Sequence, residues 1–298
     1  MSDYEILLKI FMDCCQHITL LLRNGNLLTM GEEIGTNVSG DLVKYLDSKA
    51  NDYIKGELLK CQLVRAITSE EEETIIYSEF KEAPYMISFD PIDGSSNIKV
   101  NITVGTIFGV YKYNNNNQIV NGYDLYMSAY SLYGSSSQLV VAKKNNVSLF
   151  SYINNSYQLI KDKIKIPHKG KIYAVNESSK YLFLDHNVNK LINILIEEKY
   201  THRWVGSLVA DAHRTIINGG LFIYPANYNN PEGKIRLLYE AYPIAFIFEQ
   251  ADGIATNGEI PILDISFPIK VHKRTPIYLS GNYELNIINH ESIINNKF

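Results

Sequence analysis

The sequence contains little cysteine, and none of it is spaced for a disulfide framework or a zinc site. Only three cysteines occur among 298 residues, and two of them, Cys14 and Cys15, are adjacent. The third is Cys61, so the chain has no C-x-x-C pair of the kind that binds zinc. These features exclude a disulfide-stabilised secreted domain and predict a protein of a reducing compartment, which we take to be the cytoplasm.

Long apolar runs and an excess of positive charge are missing as well. No apolar run approaches the roughly 18 residues that a membrane-spanning helix needs, and acids stand at the start of the chain, where a signal peptide would be basic. The formal net charge is -4 and the pI is about 6.0, which argues against a nucleic-acid or membrane partner. What remains is ordinary globular composition, 46% hydrophobic and 20% charged, in one large domain or two closely packed ones.

Helical and strand patterns are mixed along the chain. Apolar residues at helical spacing predict helices at residues 5–23, 41–59, 191–198, 207–218 and 241–250. Short β-rich runs fill residues 85–141, and later strands are predicted at residues 171–175, 222–224 and 276–279. This mixture predicts a layered α/β fold. A basic stretch at residues 163–171 is the expected seam between an N-terminal α/β domain, residues 1–165, and a C-terminal one, residues 166–298.

The sharpest motif lies at residues 89–97, F-D-P-I-D-G-S-S-N. A strand is predicted to end at Asp90, so the carboxylates of Asp90 and Asp93 can point into one site. Pro91 fixes the backbone of the turn between them, and the Ile92 carbonyl can then serve as a further oxygen ligand. Carboxylate and carbonyl oxygens are the ligands that Mg²⁺ prefers in proteins.

The second half of this motif favours an anion. Gly94 allows a ligand to approach the backbone, and Ser95 and Ser96 can begin a helix whose free N–H groups face a negative charge. Together with the preceding acids, this segment predicts Mg²⁺ that bridges to a phosphate group. The alternative is an acidic turn that only caps a helix, since D-x-x-D-G-S-S is also good turn chemistry.

Two acidic segments lie upstream. Residues 70–73 are four consecutive glutamates after Ser69, and Ser69 with Glu72 has the spacing of a capping box, so acids in the first turn of a helix are one explanation. The other is a divalent cation, which would relieve the repulsion among the carboxylates. Asp41 and Asp47 are six residues apart, and they can converge on one site only if their segment is a loop or moves.

These segments, in this order, resemble the fructose-1,6-bisphosphatases of the Mg²⁺-dependent, lithium-sensitive sugar and inositol phosphatase superfamily. The D-P-I-D-G-S-S segment marks the superfamily as a whole. Narrower stretches mark the bisphosphatase branch, and they lie at residues 95–98, 104–108, 130–135, 205–211, 213–215, 233–240 and 243. The similarity extends from about residue 5 to about residue 281.

The resemblance implies a role for each matching position. The implied metal ligands are Glu70, Glu71, Asp90, the carbonyl of Ile92, Asp93 and Glu240. The implied catalytic residues, which activate and align the attacking water, are Asp41, Asp47 and Glu71. The implied substrate contacts are Gly94, Ser95, Ser96, Asn176, Arg203, Gly206, Leu208, Tyr224, Lys234 and Arg236. Without the resemblance, Lys234 and Arg203 would be interpreted as solvated surface charges.

A fold, a reaction and a cofactor are implied as well. The fold is the layered α-β-α-β-α sandwich of the sugar phosphatases, with the metal site in the N-terminal domain and sugar-phosphate binding in the C-terminal one. The reaction is hydrolysis of fructose 1,6-bisphosphate, a small-molecule sugar bisphosphate, to fructose 6-phosphate and phosphate in gluconeogenesis. The cofactor is Mg²⁺, two or more ions, with Mn²⁺ or Zn²⁺ as alternatives. Arg203 matches an arginine that reaches the 6-phosphate of a neighbouring subunit, which implies a homo-oligomer, a dimer or a tetramer.

Three departures from the family pattern concern the expected metal and substrate sites. Lys99 stands where the family has an acid, and a cation there would lower metal affinity unless it points away. Ser179 and Trp204 replace tyrosines that contact the 6-phosphate, which predicts weaker binding of that phosphate or a shifted substrate. Two alternatives therefore stay open: a sedoheptulose-1,7-bisphosphatase, and a catalytically weakened homologue that binds sugar phosphate.

The nucleotide site of the AMP-inhibited members is also not matched. No segment with their G-T-G-E-L-T-like turn is found ahead of Tyr4. Pro84 stands where a lysine of that site would be, although Tyr85 matches. We therefore expect weak or absent inhibition by AMP.

Overall fold

The computed structural model describes residues 1–36 and 42–290, which form a mixed α/β structure. The helices are α1 (Asp3–Asn24), α2 (Leu27–Met30), α3 (Tyr45–Leu59), α4 (Asn187–Glu197), α5 (Leu208–Asn218), α6 (Tyr242–Gln250) and α7 (Asn282–His290). A π-helical turn, Leu237–Ala241, lies directly before α6, and a 3₁₀ segment, Ser95–Val100, follows the F-D-P-I-D-G motif. None of the helices in the described part of the chain is both long and apolar enough to span a bilayer.

Most of the strands belong to two sheets. The first ten strands are β1 (Glu33–Thr36), β2 (Leu42–Lys44), β3 (Val64–Ser69), β4 (Ile76–Tyr77), β5 (Tyr85–Asp93), β6 (Val104–Lys112), β7 (Leu125–Tyr133), β8 (Ser137–Lys143), β9 (Asn146–Ile153) and β10 (Ser156–Lys161). The others are β11 (Ile172–Ala174), β12 (Thr201–His202), β13 (Leu221–Tyr224), β14 (Ile235–Arg236), β15 (Ile254–Thr256), β16 (Arg274–Thr275) and β17 (Ile277–Ser280). The larger sheet has the order β10-β9-β8-β7-β6-β5-β3-β4, and the smaller one has the order β12-β11-β13-β17-β15.

The first helical layer is formed by α1 and α3 on one face of the larger sheet. A capping box between Ser2 and Glu5 starts α1, because each residue satisfies a backbone N–H that the helix leaves unpaired. The apolar face of α1 then packs on the sheet, where the rings of Phe11 and Phe108 stack with their centroids 4.3 Å apart. Fully buried apolar side chains of this size each stabilise the fold by about 1.5 to 3 kcal/mol.

The second helical layer, α5 and α6, lies between the two sheets. Alternation along β6 sends Ile107 and Tyr111 into this layer, while Phe108 and Val110 face α1 and α3. The smaller sheet closes the same core with Ala174, Phe222, Ile277 and Leu279. Residues 242–248 of α6 are all buried, as expected for a helix that has a sheet on both sides.

The third helical layer covers the far face of the smaller sheet. There α4 packs against Tyr173, Leu221 and Ile223, and Ile287 of α7 joins the edge of this cluster. The order of layers is therefore helices, larger sheet, helices, smaller sheet, helices. This confirms the α-β-α-β-α sandwich that the resemblance implied, while the division into residues 1–165 and 166–298 stays a prediction.

One predicted helix starts later than expected. Residues 42–44 form β2, and α3 begins only at Tyr45. The amide of Lys44 donates to Oδ2 of Asp47 at 2.7 Å, so the side chain of Asp47 caps the first turn. The helical periodicity at residues 41–59 was thus extended too far toward the N-terminus, because the apolar residues of β2 continue the same pattern.

Candidate active site

A β-bulge places Asp90 and Asp93 on the same side of the larger sheet. Alternate residues of a strand face opposite sides, so residues three positions apart would normally diverge. Here Asp90 pairs with Ile107 and Asp93 pairs with Gly105, so three steps along β5 match two steps along β6. Both carboxyl groups are buried. One carboxylate oxygen of each aspartate and one of Glu240 all lie within 4.8 Å of one another.

The electrostatics of this acidic group favour a bound cation. Burial raises the pKa of Asp90 well above its usual range, and the carboxylates of Glu70 and Asp93 raise it further. Within the described residues, Oδ1 of Asp90 is buried and has no hydrogen-bond partner. An unsatisfied buried acceptor costs about 1 to 3 kcal/mol. A divalent cation would satisfy that oxygen and neutralise the repulsion, and an all-oxygen donor set suits Mg²⁺, Mn²⁺ or Ca²⁺.

The start of α5 holds the carboxyl group of Asp93. Ser207 Oγ donates to its Oδ2 at 2.6 Å, and the amides of Leu208 and Val209 donate to its two oxygens at 3.2 and 2.9 Å. Burial raises the pKa of Asp93, and these three donors act in the opposite direction. Ser207 was not among the predicted site residues, although it lies at the start of a predicted helix and within the family-marking stretch at residues 205–211.

Glu240 projects from the π-helical turn that precedes α6. The amide of Arg236 donates to Oε2 of Glu240 at 2.5 Å, which fixes the carboxyl group at the start of this turn. Burial, followed by the charges of Glu70 and Asp93, raises the pKa of Glu240 well above its usual range. The sequence predicted an ordinary helix from residue 241, and π turns of this kind recur at functional sites.

The turn after β3 carries the glutamate run. The amide of Glu70 donates to the carbonyl of Phe89 at 3.3 Å, so this turn lies beside β5. Glu70 lines the same cavity as the acidic group. Glu71 is half-buried, and its amide donates to Ser69 Oγ at 3.3 Å. Residues 70–75 contain no helix, so the capping-box explanation of this run is wrong.

These acids open into a cavity of about 500 Å³ that also contains basic groups. Predicted substrate contacts in its lining are Gly94, Ser95, Ser96, Gly206, Leu208, Tyr224, Lys234 and Arg236, and the predicted ligand Ile92 lines it too. Asn176 lies in a smaller cavity of about 160 Å³ whose lining shares Tyr224 and Lys234 with the main cavity. Arg203 is exposed and lies in neither lining as described.

A positive φ and a close contact with Ser207 favour a glycine at the start of the 3₁₀ segment. Gly94 has φ +77°, and a Cβ atom there would lie 2.7 Å from the Cβ of Ser207. Without a side chain at this point, the turn that carries the cavity-lining residues Ser95 and Ser96 can pack closely against Ser207.

Asp47 lies next to this turn, in the first turn of α3. Burial raises its pKa to about 7, although the amide of Lys44 and the hydroxyl of Ser95 both hydrogen-bond to it and lower the value. A carboxyl group with that pKa can accept a proton near neutral pH. Asp41, the other predicted acid of this segment, lies outside the described residues.

Three charged residues of the cavity lining have no predicted role. Lys44 is buried and forms an ion pair of 2.6 Å with Glu33. Asp211 is fully buried and accepts hydrogen bonds from the amides of Val205 and Gly206 at 3.1–3.2 Å, so it shapes the loop at the cavity wall. Arg274 adds a further cation. Asp211 lies in the stretch at residues 205–211 that marks the family, but its residue type alone did not indicate that it would shape this loop.

The three departures from the family pattern differ in their placement. Lys99 is exposed and lies outside the described cavity lining; a Cβ atom at Gly31 would lie 2.5 Å from its Cγ. Trp204 lines the main cavity, where its ring is parallel to that of Phe222 with the centroids 6.0 Å apart. Ser179 lines the smaller cavity.

Comparisons with known proteins agree with this fold and site. The model of the fructose-1-6-bisphosphatase N-terminal domain matches residues 1–162, and that of the C-terminal domain matches residues 166–292. The chain is 44% identical over 255 residues to the fructose-1,6-bisphosphatase class 1 of Sulfurihydrogenibium sp. (strain YO3AOP1), covering 84% of this chain and 79% of the relative. It is 39% identical over 269 residues to fructose-1,6-bisphosphatase 1 of Rattus norvegicus, covering 84% and 72%.

Among solved structures, the holo form of Leishmania major fructose-1,6-bisphosphatase superposes with a TM-score of 0.92 at 34% identity, over 97% of this chain and 94% of that one. The fold and the site thus define a metal-dependent phosphatase, a phosphoric monoester hydrolase of the layered α/β type. More narrowly, the chain belongs to the fructose-1,6-bisphosphatase family.

Proposed function

We propose that this chain removes the 1-phosphate of fructose 1,6-bisphosphate and releases fructose 6-phosphate and inorganic phosphate, with Mg²⁺ as its cofactor. The observation that supports this most strongly is the convergence of Asp90, Asp93 and Glu240 in a cavity that also contains Lys234 and Arg236. Acids that would hold cations and bases that would hold phosphate occur there together. A carbohydrate-metabolic role in the cytoplasm belongs to the same proposal.

The residues that would hold two or more Mg²⁺ ions are Glu70, Glu71, Asp90, the carbonyl of Ile92, Asp93 and Glu240. When bound, such ions make a coordinated water more acidic and stabilise negative charge on the leaving oxygen. The protein holds these acids in place beforehand, because α5 fixes Asp93 and the amide of Arg236 fixes Glu240. Mn²⁺ and Zn²⁺ are the alternatives for the same donors.

Asp47, together with Glu71 and Asp41, is proposed to act on the attacking water. The water oxygen forms a bond to phosphorus, the bond from phosphorus to the oxygen on sugar C1 breaks, and the water loses a proton as the C1 oxygen gains one. The pKa of Asp47 near 7 suits a general base at neutral pH. Its hydrogen bond with Ser95 links this base to the turn that would hold the 1-phosphate.

The remaining predicted residues divide between the two phosphates and the sugar. Gly94, Ser95, Ser96 and Arg236 would bind the 1-phosphate, and the backbones of Gly206 and Leu208 would bind sugar hydroxyls. Asn176, Tyr224 and Lys234 line the smaller cavity together, which suits the 6-phosphate. The exposed Arg203 is proposed to reach the 6-phosphate in a neighbouring protomer of a dimer or tetramer. Weak or absent AMP inhibition stays a prediction.

Phosphate release is the direct test. We expect release from fructose 1,6-bisphosphate to require Mg²⁺ and to stop when EDTA is added. Asp90→Asn should lower kcat/KM at least about a hundredfold, because it removes a ligand charge from the buried group. Asp252→Asn is the matched control, because Asp252 is an exposed aspartate outside the described cavity lining. This change should leave the rate unchanged.

Two outcomes would replace this proposal with an alternative. A higher kcat/KM on sedoheptulose 1,7-bisphosphate than on fructose 1,6-bisphosphate would indicate the sedoheptulose bisphosphatase. No phosphate release from either sugar at any Mg²⁺ concentration would indicate a homologue that binds sugar phosphate without hydrolysing it.

A further inference from the structure

The four glutamates of residues 70–73 do not share one environment. Glu70 lines the acidic cavity, and Glu73 is exposed. The carboxylate of Glu72 instead faces α3, where its Oε1 accepts hydrogen bonds from Asn51 Nδ2 at 2.8 Å and from Lys55 Nζ at 2.5 Å. The side chain of Glu72 is only 19% exposed, so this contact is shielded from water more than most ion pairs.

Asn51 continues this contact toward the candidate metal ligands. Its amide group donates to Glu72, and its Oδ1 accepts from Ser69 Oγ at 2.7 Å. Ser69 Oγ in turn accepts from the amide of Glu71. Asn51 and Ser69 are both buried, and the side chain of each has a hydrogen-bond partner in this chain of contacts. The backbone of Glu71 is therefore tied to the carboxylate of Glu72 through two side chains.

The backbone of Glu72 is tied to a second part of the site. Its carbonyl lies 3.1 Å from Nε2 of His272, and because a carbonyl can only accept, Nε2 carries the proton. Nδ1 of His272 forms a hydrogen bond of 2.8 Å with the hydroxyl of Tyr239. Tyr239 directly precedes Glu240 in the π-helical turn. Glu72 thus connects α3, the glutamate turn and the π-helical turn, which are the elements that carry Asp47, Glu71 and Glu240.

We propose that Glu72 is a positioning residue for the divalent cation and does not itself bind it. Its ion pair with Lys55 and its hydrogen bond with Asn51 hold the glutamate turn, in which Glu70 lines the cavity and the backbone of Glu71 is fixed through Ser69. The inference rests on the proposed metal-dependent function, since it assigns how tightly that function's cation is bound. Removing a residue that hydrogen-bonds to a metal ligand typically lowers the affinity for the metal by about 10- to 100-fold.

The test uses Mn²⁺ binding, measured by the EPR signal of free Mn²⁺ during titration of the full-length protein. Glu72→Gln keeps the size of the side chain and its ability to accept from Asn51, but removes the charge that pairs with Lys55. We expect its Kd for Mn²⁺ to rise about tenfold or more. The matched control is Glu73→Gln, which removes one charge from the same run at an exposed position, and its Kd should stay within about twofold of wild type.

A second variant acts from the other side of the contact. Lys55→Gln leaves all the glutamates in place, and it should also weaken Mn²⁺ binding, although it makes the site more negative overall. Simple long-range attraction predicts the opposite sign, so this variant separates positioning from charge. It also keeps the inference testable if Glu72→Gln fails to fold, which the thermal melt of each variant without metal would show.

The outcomes are distinct from those of the phosphate-release test. The inference is overturned if wild type binds Mn²⁺ and Glu72→Gln binds it as tightly as Glu73→Gln does, or if Lys55→Gln binds it more tightly than wild type. If wild type itself binds no Mn²⁺, the proposed metal-dependent function is wrong, and this inference, which rests on it, is wrong as well.

Discussion

Burial sets the protonation of single carboxyl groups outside the candidate site as well as within it. The pKa of Glu249, on α6, is raised from its usual value near 4.5 to about 7 by burial and then by the charge of Asp264. The folded state therefore holds this proton more tightly than the unfolded chain does. The stability that this group contributes is complete below pH 4.5 and is lost as the pH rises through about 7.

Replacing Glu249 should therefore stabilise the protein in a pH-dependent way. Glu249→Gln removes the titration and keeps the shape, so we expect a higher Tm than wild type at pH 8 and little difference at pH 5. Glu259→Gln, at an exposed glutamate, should give the same small change at both pH values. Thermal melts by circular dichroism would show this, and an equal effect of Glu249→Gln at the two pH values would contradict the account.

Single residues differ in how far the sequence could predict their placement. Asp90 and Asp93 lie in a short motif whose residues alone predict a site, whereas Lys234 was predicted only through the family resemblance, and all three line one cavity. Ser207 holds Asp93 from 114 positions away, and His272 reaches Glu72 from 200 positions away. No spacing rule covers such distances, so contacts of this kind follow only from the folded chain. The roles of the predicted residues stay predictions until they are measured.

Irregular elements, more than regular ones, shape the candidate site. The bulge in β5 aligns two aspartates, the π-helical turn presents Glu240, and the left-handed Gly94 begins the 3₁₀ segment at the cavity. Each irregularity depends on a specific residue or contact, such as the glycine that a positive φ favours at position 94. Substitution at such a point should therefore affect both folding and activity.

Gly94→Ala tests this at one turn. A side chain at φ +77° and 2.7 Å from the Cβ of Ser207 should lower the free energy of unfolding by about 1 to 3 kcal/mol and reduce phosphate release. Gly56→Ala is the control, because Gly56 lies inside α3 with no atom within 4 Å of the added group. That change should stabilise the protein by about 0.5 to 1 kcal/mol. Urea unfolding of both variants measures the difference, and equal effects would refute the strain at Gly94.

The helices and strands with clear periodicity were predicted better than these irregular ones. The expected helix at residues 5–23 is α1, and the one at residues 207–218 is α5, because each has a continuous apolar face that period 3.6 describes. The start of α3 at Tyr45 and the π-helical turn at Leu237 were not predicted. Both depend on hydrogen bonds to a specific partner, and hydrophobic periodicity contains no information about those.

At the scale of the whole molecule, the order of the layers was implied by the family resemblance and not by pattern. Periodicity predicted mixed helices and strands, but it could not say that α5 and α6 lie between the two sheets. That placement depends on both faces of α6 being apolar and on two sheets that are far apart in sequence packing against it. In the folded molecule, the larger sheet supplies Asp90 and Asp93 to the candidate site, and Lys234 comes from the residues just before β14.

Asp90, Asp93 and Glu240 are proposed to bind a divalent cation beside a sugar phosphate. The most direct measurement is an anomalous difference map from crystals grown with Mn²⁺ and fructose 6-phosphate plus phosphate. We expect at least one Mn²⁺ peak within coordination distance of carboxylate oxygens from all three residues, with the phosphate next to it. A map in which Mn²⁺ binds elsewhere, or in which these three carboxyl groups contact no metal, would contradict it.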